Sequence, residues 1–267
     1  MSIFRKLFYL NAWAIGYREI TKDVSLPSKK NKGQYSVIKL NDHMYYADPF
    51  VFEDNEKTYL FAESMNRYRG KATISVSEYS NGQFGKFKEV LRENFHLSYP
   101  NVFKWNNRYY MIPESSDCRQ IRLYVAENFP YEWQLCSVLK DDGNLYTDNS
   151  IEIIDNHIFF ITFYEKNSER YSEYYELDLE KLKLLKPNLG DVFQNLRPAG
   201  NPFLSNGMLV RPLQDCKEYY GKAVLIYSHE VGKTETKLSR IDCDCYSFDR
   251  NIRNMTGTHT LNRSEHF

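Results

Sequence analysis

The sequence has no excess of charge of either sign, 35 Lys and Arg standing against 35 Asp and Glu. A neutral chain lacks the basic field on which nucleic-acid binding rests, so nucleic acid is set aside as a partner. It also lacks an apolar run long enough to cross a bilayer. The nearest approach, residues 1–10, is interrupted at Asn11 and followed by no small-residue cleavage site. It reads as neither signal peptide nor span, leaving contact with a membrane surface as the one membrane role open to it. Cysteine is sparse and unpatterned: Cys118, Cys136, Cys216, Cys243 and Cys245 are an odd number without framework spacing. Cys243-Asp244-Cys245 has no second Cys or His pair at zinc-like distance, so neither a metal nor another cofactor is expected. Reduced cysteines fit a cytoplasmic setting.

What the chain does have is a repeat. Tyr46-Ala47-Asp48-Pro49-Phe50-Val51-Phe52, a polar turn at Glu53 to Lys57, and Thr58-Tyr59-Leu60-Phe61-Ala62-Glu63 read as strand, turn and strand. The same pattern returns in Tyr99-Pro100-Asn101-Val102-Phe103 with Tyr109-Tyr110-Met111-Ile112-Pro113-Glu114. Aligned without a gap, Pro49 falls on Pro100, Phe52 on Phe103, Tyr59 on Tyr110 and Glu63 on Glu114. A third copy runs from Asp148-Asn149-Ser150-Ile151 to Ile158-Phe159-Phe160-Ile161. A fainter fourth runs from Arg197-Pro198-Ala199-Gly200 to Met208-Leu209-Val210-Arg211-Pro212. Hairpins recurring about every 50 residues are the mark of a β-propeller, and the 16 % aromatic content suits strand-rich packing.

The expected fold is therefore all-β, one domain over residues 1–267. Blades are expected at about 40–95, 96–140, 145–190 and 194–235. The remainder, 238–267, is too short for a whole blade, so strands from 9–38 are expected to complete it. That gives a five-bladed ring closed by both termini, with no free edge.

In such a ring the first strand of each blade lines the central channel, and its hairpin partner returns to the same rim. The repeat thus gathers Asp48 with Glu63, Tyr99 with Glu114, Asp148, Arg197, and the Arg211 to Asp215 segment. Several carboxylates facing one cavity suit glycosyl chemistry, with one as base or nucleophile and another as proton donor. Arginines there suit an anionic group such as a phosphate. The plainer reading is that Asp48-Pro49 punctuates a strand start and that the rim carboxylates pair with the arginines or cap backbone amides.

These residues also carry a resemblance. Tyr46-Ala47-Asp48-Pro49-Phe50, Leu97-Ser98-Tyr99-Pro100, Tyr110-Met111-Ile112-Pro113-Glu114-Ser115, Arg197-Pro198-Ala199-Gly200, Arg211-Pro212-Leu213-Gln214-Asp215-Cys216 and Gly257-Thr258-His259-Thr260-Leu261-Asn262 resemble one family. It is the propeller domain at the N-terminus of glucosamine inositolphosphorylceramide transferase, found also in bacterial surface-polysaccharide proteins. The resemblance implies a fold similar to the five-bladed propellers of glycoside hydrolase families 43 and 32. It further implies Asp48 as base or nucleophile, Asp148 as orienting carboxylate and Glu114 as proton donor, since Arg197 stands where those hydrolases would place a Glu. Glu63, Tyr99, Arg197, Arg211, Asp215 and His259 are the expected substrate contacts. The expected ligand is a sugar, nucleotide sugar or lipid-linked sugar, and the expected function is glycosyl transfer in surface-polysaccharide or glycoconjugate synthesis. The alternatives are a family 43/32 type glycosidase, and a non-catalytic sugar-binding or scaffolding propeller serving a partner transferase.

Overall fold

A computed structural model describes residues 13–20, 25–38, 43–66, 68, 70–186, 195–230, 232–249 and 255–267. The apolar run at 1–10, and with it the expected membrane-surface contact, lies outside the described residues. No α-helix occurs among those described; five sheets make five blades. Blade one holds Met44–Asp54, Lys57–Asn66 and Thr73–Ser80, edged by Gln83–Phe84 and Lys88–Leu91. Blade two holds Ser98–Trp105, Arg108–Glu114, Ile121–Asn128 and Glu132–Lys140. Blade three holds Thr147–Ile154, His157–Lys166, Glu169–Asp178 and Lys183–Leu185. Blade four holds Phe203–Ser205, Met208–Asp215, Ala223–Ser228 and Lys237–Asp242. Blade five joins Gly16–Tyr17 and Gly33–Val37 to Tyr246–Phe248, the last two strands running parallel. The two ends of the chain do close the ring.

The repeat also places a shared irregularity. In blade one, Ala47 pairs with Glu63 and Phe50 with Phe61, so the inner strand carries one residue more than its partner. Ser98–Asn101 against Glu114–Ile112, and Thr147–Ser150 against Phe163–Ile161, do the same. These are β-bulges, which bend a strand and re-aim a side chain. Asp48, Tyr99 and Asp148 occupy the same place in each, with φ of 47°, 49° and 51°. A left-handed backbone is unusual for any residue but Gly and most unusual for a bulky one such as Tyr99. Within the hairpin, Glu63 therefore pairs with Ala47 rather than Asp48, because the bulge places Asp48 between the paired positions.

The axis of the ring is filled by amides. Asn101 and Asn201 exchange side-chain hydrogen bonds (2.6 and 3.0 Å), and the Asn201 N–H donates to Asn262 Oδ1 (2.9 Å). Asn262 Nδ2 in turn donates to the Pro49 carbonyl (2.8 Å), while Asn101 Nδ2 reaches the Asn149 carbonyl (2.9 Å). One ladder thus ties the innermost segments of all five blades together at the centre of the ring. Gly200 permits it. A Cβ there would lie 2.1 Å from the Leu261 carbonyl oxygen, and its φ of +142° is open to glycine alone.

Between blades the packing is apolar at four seams. Phe61, Ile74, Leu97 and Met111 fill the seam of blades one and two, and Ile112, Leu123, Ile151 and Phe160 that of two and three. Val210, Val224 and Ile241 with Cys245 join four to five, and Ile15 and Ile38 with Leu60 and Ala62 join five to one. Blades three and four meet differently. Arg211 and Glu235, both fully buried, form a two-pronged ion pair (2.6 and 2.7 Å). His229 lies between Glu235 (3.1 Å) and Glu152 of blade three (2.9 Å). A buried charge persists only when paired, and here the His229–Glu152 contact carries that pairing across the seam.

Candidate active site

The bulges turn Asp48 and Asp148 inward at one rim, and neighbouring residues close around them. Asp148 accepts from Arg197 Nε and from Gln214 Nε2 (2.7 Å). Arg197 also reaches Glu114 Oε2 (3.4 Å), whose same oxygen accepts the Asp148 N–H (3.0 Å) and whose other oxygen accepts from Ser116 (2.7 Å). The Arg197 guanidinium lies over the ring of Tyr220 (5.1 Å). On the other side, Thr260 donates to Asp48 Oδ1 (2.7 Å). Having given its one proton there, the Thr260 hydroxyl accepts from His259 Nδ1 (2.7 Å), which fixes the tautomer of that ring. His259 is clamped edge-on by Trp13, centroids 4.0 Å apart.

These surroundings separate the acids. Burial, then the charges of Glu63, Asp148 and Glu114, push the Asp48 carboxyl well above the usual range, against the Thr260 hydrogen bond. Burial raises Asp148 too, but the Arg197 charge opposes it, and the result is about 6. For Arg197 burial would lower the pKa, yet the charges of Asp148 and Glu114 win and hold it well above its usual value. Burial pulls His259 down to about 4, so it is neutral at physiological pH. Two carboxyls with separated proton affinities are the raw material of paired acid and base chemistry.

Of the residues expected at the rim, Asp48, Glu63, Tyr99, Glu114, Asp148, Arg197 and His259 come together there. Glu63 pairs with His96 Nε2 (3.4 Å), and that hydrogen bond, outweighing burial, raises the His96 pKa. Tyr99 is fully buried, its hydroxyl 3.2 Å from Ser150 Oγ. Arg211 and Asp215 are not brought to the opening. Arg211 is enclosed with Glu235, and Asp215 turns to Arg240 of the next strand and to the Lys217 N–H. Alternation explains this: Arg211 and Asp215 share one face of their strand, and Gln214, on the other, is the residue that meets Asp148. Sequence reasoning missed Gln214, Thr260, His96 and Tyr220. Gln214 and Thr260 stood inside motifs already singled out, and a strict count of strand parity would have found Gln214.

A cleft of about 270 Å³ opens beside Arg197, Gln214 and Tyr220 and runs along blade three past Thr147, Phe163 and Glu165. An aromatic wall with charged groups at one end is the usual make-up of a small polar ligand's pocket. Among the described residues, Glu53, Glu265 and His266 are spaced to hold a metal ion. They lie at the far end of the inner strand from Asp48, and Glu53 already pairs with His266 (3.0 Å).

The ring is shared with known enzymes at low identity. A family 117 glycoside hydrolase, Zg3597, of Zobellia galactanivorans superposes with a TM-score of 0.60 at 10 % identity, over 77 % of this chain and 73 % of that one. The catalytic domain of the Coprinopsis cinerea family 62 α-L-arabinofuranosidase gives 0.60 at 12 % identity, over 81 % and 80 %. These likenesses establish the five-bladed fold. In sequence, the chain is 33 % identical over 195 residues to glucosamine inositolphosphorylceramide transferase 1 of Oryza sativa subsp. indica, and 31 % identical over 198 residues to that of Arabidopsis thaliana. Each match covers 70 % of this chain and 26 % of the relative, so the chain spans about a quarter of those proteins. The model of the family described as glucosamine inositolphosphorylceramide transferase 1, N-terminal, matches residues 36–260. With all of blades one to four inside that match, the chain belongs to the N-terminal propeller family of glucosamine inositolphosphorylceramide transferase 1.

Proposed function

We propose that this propeller binds a carbohydrate at the Asp48–Asp148 rim and takes part in glycosyl transfer during the synthesis of a surface polysaccharide or glycoconjugate. One observation carries the reading. Asp48 and Asp148 occupy the same bulge position in two blades, yet burial pushes the first well above the usual carboxyl range while the Arg197 charge holds the second to about 6. That split favours Asp48 as the group that protonates a leaving oxygen and Asp148 as the group that accepts a proton from an incoming hydroxyl. It departs from the roles assigned from sequence, where Asp48 was the base or nucleophile, Glu114 the proton donor and Asp148 the orienting carboxylate. Glu114 then positions Arg197 and the Asp148 backbone. Arg197 and Tyr220, at the mouth of the cleft, contact the ligand, which is a nucleotide sugar or lipid-linked sugar. Five cysteines without disulfides support a reducing, cytoplasmic setting.

The test is a thermal-shift and turnover screen with nucleotide sugars, lipid-linked sugar analogues and neutral oligosaccharides, comparing wild type with Asp48→Asn and Arg197→Ala. Stabilisation by an activated sugar, with turnover lost in Asp48→Asn, supports transfer. Release of free sugar from a neutral oligosaccharide supports hydrolysis instead. A second reading, a sugar-binding module serving a partner transferase, draws on the fact that Arg197 and Gln214 already engage Asp148. It predicts binding with no turnover, and no difference in affinity for Asp48→Asn.

A further inference from the structure

Blade five is the thinnest of the ring, with three strands where the others have four or five. Its inner position is taken by the extended segment 257–267 in place of a paired strand. One face of that segment, through Thr260, supports Asp48. The same segment, Thr260 included, borders a partly open cavity of about 100 Å³ between blades five and one. The lining is mainly apolar, with Ile15, Val51, Leu60, Phe84, Phe203 and Leu261 contributing. Beside the polar Tyr17, Tyr35, Thr260 and Asn262, the charged side chains on its wall are Arg18 and Arg263.

Both arginines are half-buried, and among the described residues neither has a carboxylate within ion-pair distance. Arg18 donates to the Ser25 carbonyl (2.7 Å) and stacks on Tyr35 (5.0 Å), contacts that orient the guanidinium without neutralising it. Among the described residues the other enclosed arginines, Arg122, Arg197, Arg211 and Arg240, all hold carboxylates. An apolar hollow with uncompensated guanidinium groups on its wall is complementary to a ligand that is apolar at one end and anionic at the other.

We propose that this cavity is a second binding site, for the head of a lipid phosphate: the first carbons of an aliphatic chain in the hollow and the phosphate on Arg18 and Arg263. The volume sets how much chain fits. At about 30 Å³ for each water-sized group, the hollow takes roughly three or four methylenes, and the rest of the chain lies outside. The cavity adjoins the Asp48–Asp148 rim through Pro49 and Thr260 but is lined by neither of its two carboxylates.

The experiment is calorimetric titration with inorganic phosphate and with ethyl, butyl, hexyl and octyl phosphate, all kept below micelle-forming concentrations. The expected affinity rises about fourfold per methylene up to roughly four carbons and then levels off. Arg18→Gln and Arg263→Gln are each expected to weaken butyl phosphate about tenfold, with circular dichroism spectra unchanged, and butanol is expected to bind no better than inorganic phosphate. A constant gain per carbon through octyl would mean non-specific adsorption and overturn the proposal. Loss of butyl phosphate binding in Arg197→Ala but not in the Arg18 and Arg263 variants would place the phosphate at the rim, also overturning it. An absence of binding by every alkyl phosphate would do the same.

Discussion

Replacing Arg197 with alanine leaves two enclosed carboxylates, Asp148 and Glu114, without the cation that spans them. Asp148 is 2 % exposed and Arg197 26 %, so the pair is only partly screened by solvent. In the intact protein burial has already raised Asp148 to about 6 from 3.8, with the Arg197 charge the largest influence holding it down. A carboxyl raised in the folded state contributes stability that is fully present below its unfolded value and is lost as pH rises through its folded value. Removing Arg197 raises the folded value further, so the additional loss lies above about pH 6. A hundredfold rise in proton affinity corresponds to about 2.3 kcal/mol at pH 8, with about 1 kcal/mol more at any pH from the lost hydrogen bonds. For a domain of this size, 3 to 4 kcal/mol lowers the Tm by about 6–12 °C. Thermal and urea melts of wild type and Arg197→Ala should therefore differ strongly at pH 8 and by about 1 kcal/mol at pH 5. Equal losses at the two pH values would refute the reasoning, because they would mean that the Asp148 proton is not what Arg197 controls.

Arg211→Met should lower stability by about 3–5 kcal/mol by leaving Glu235 buried and unpaired, as urea melts would show. The same variant should bind rim ligands with unchanged Kd, and a weakened Kd would return Arg211 to the site. Gly200→Ala should cost about 3 kcal/mol or more, because its Cβ would meet the Leu261 carbonyl at 2.1 Å in a backbone conformation closed to alanine. A wild-type Tm for that variant would show that segment 257–262 does not sit tightly on the axis. In Glu63→Gln the His96 pKa should fall, since the Glu63 hydrogen bond is what raises it, and an NMR titration of the imidazole reads this directly.

The ring, its closure and much of its rim were legible in the sequence because a repeat fixes which residues are equivalent without reference to their surroundings. Once Asp48, Tyr99 and Asp148 align, any fold that stacks the copies around an axis brings them to one end. Parity within a strand was harder to read. Arg211, Gln214 and Asp215 lie within five positions, and only side-chain alternation decides that Gln214 meets Asp148. The bulges were invisible for a different reason: an extra residue in each inner strand leaves the spacing between copies untouched. Proton affinity was least legible, since Asp48 and Asp148 are the same residue type in the same backbone setting and differ through what packs against them. The axial ladder had a signal that went unused, for Asn101 and Asn201 stand at equivalent places in the second and fourth copies.

Four seams of the ring are closed by oil and one by charge. Oil-closed joints respond to temperature and denaturant but scarcely to protons. The joint of blades three and four, held through Arg211, Glu235, His229 and Glu152, answers to protons as well. Burial would lower the His229 pKa, but hydrogen bonds to Glu152 and Glu235 outweigh it and raise the value, so the stability they contribute is lost as pH rises through that raised value. A ring broken at that one place keeps its other four contacts and opens like a clasp. The cleft beside Arg197 lies along the same joint, so on the proposed function a sugar seated against Arg197 and Phe163 would act as a pin through the clasp. Occupancy of the cleft and closure of the ring are then two readings of one equilibrium.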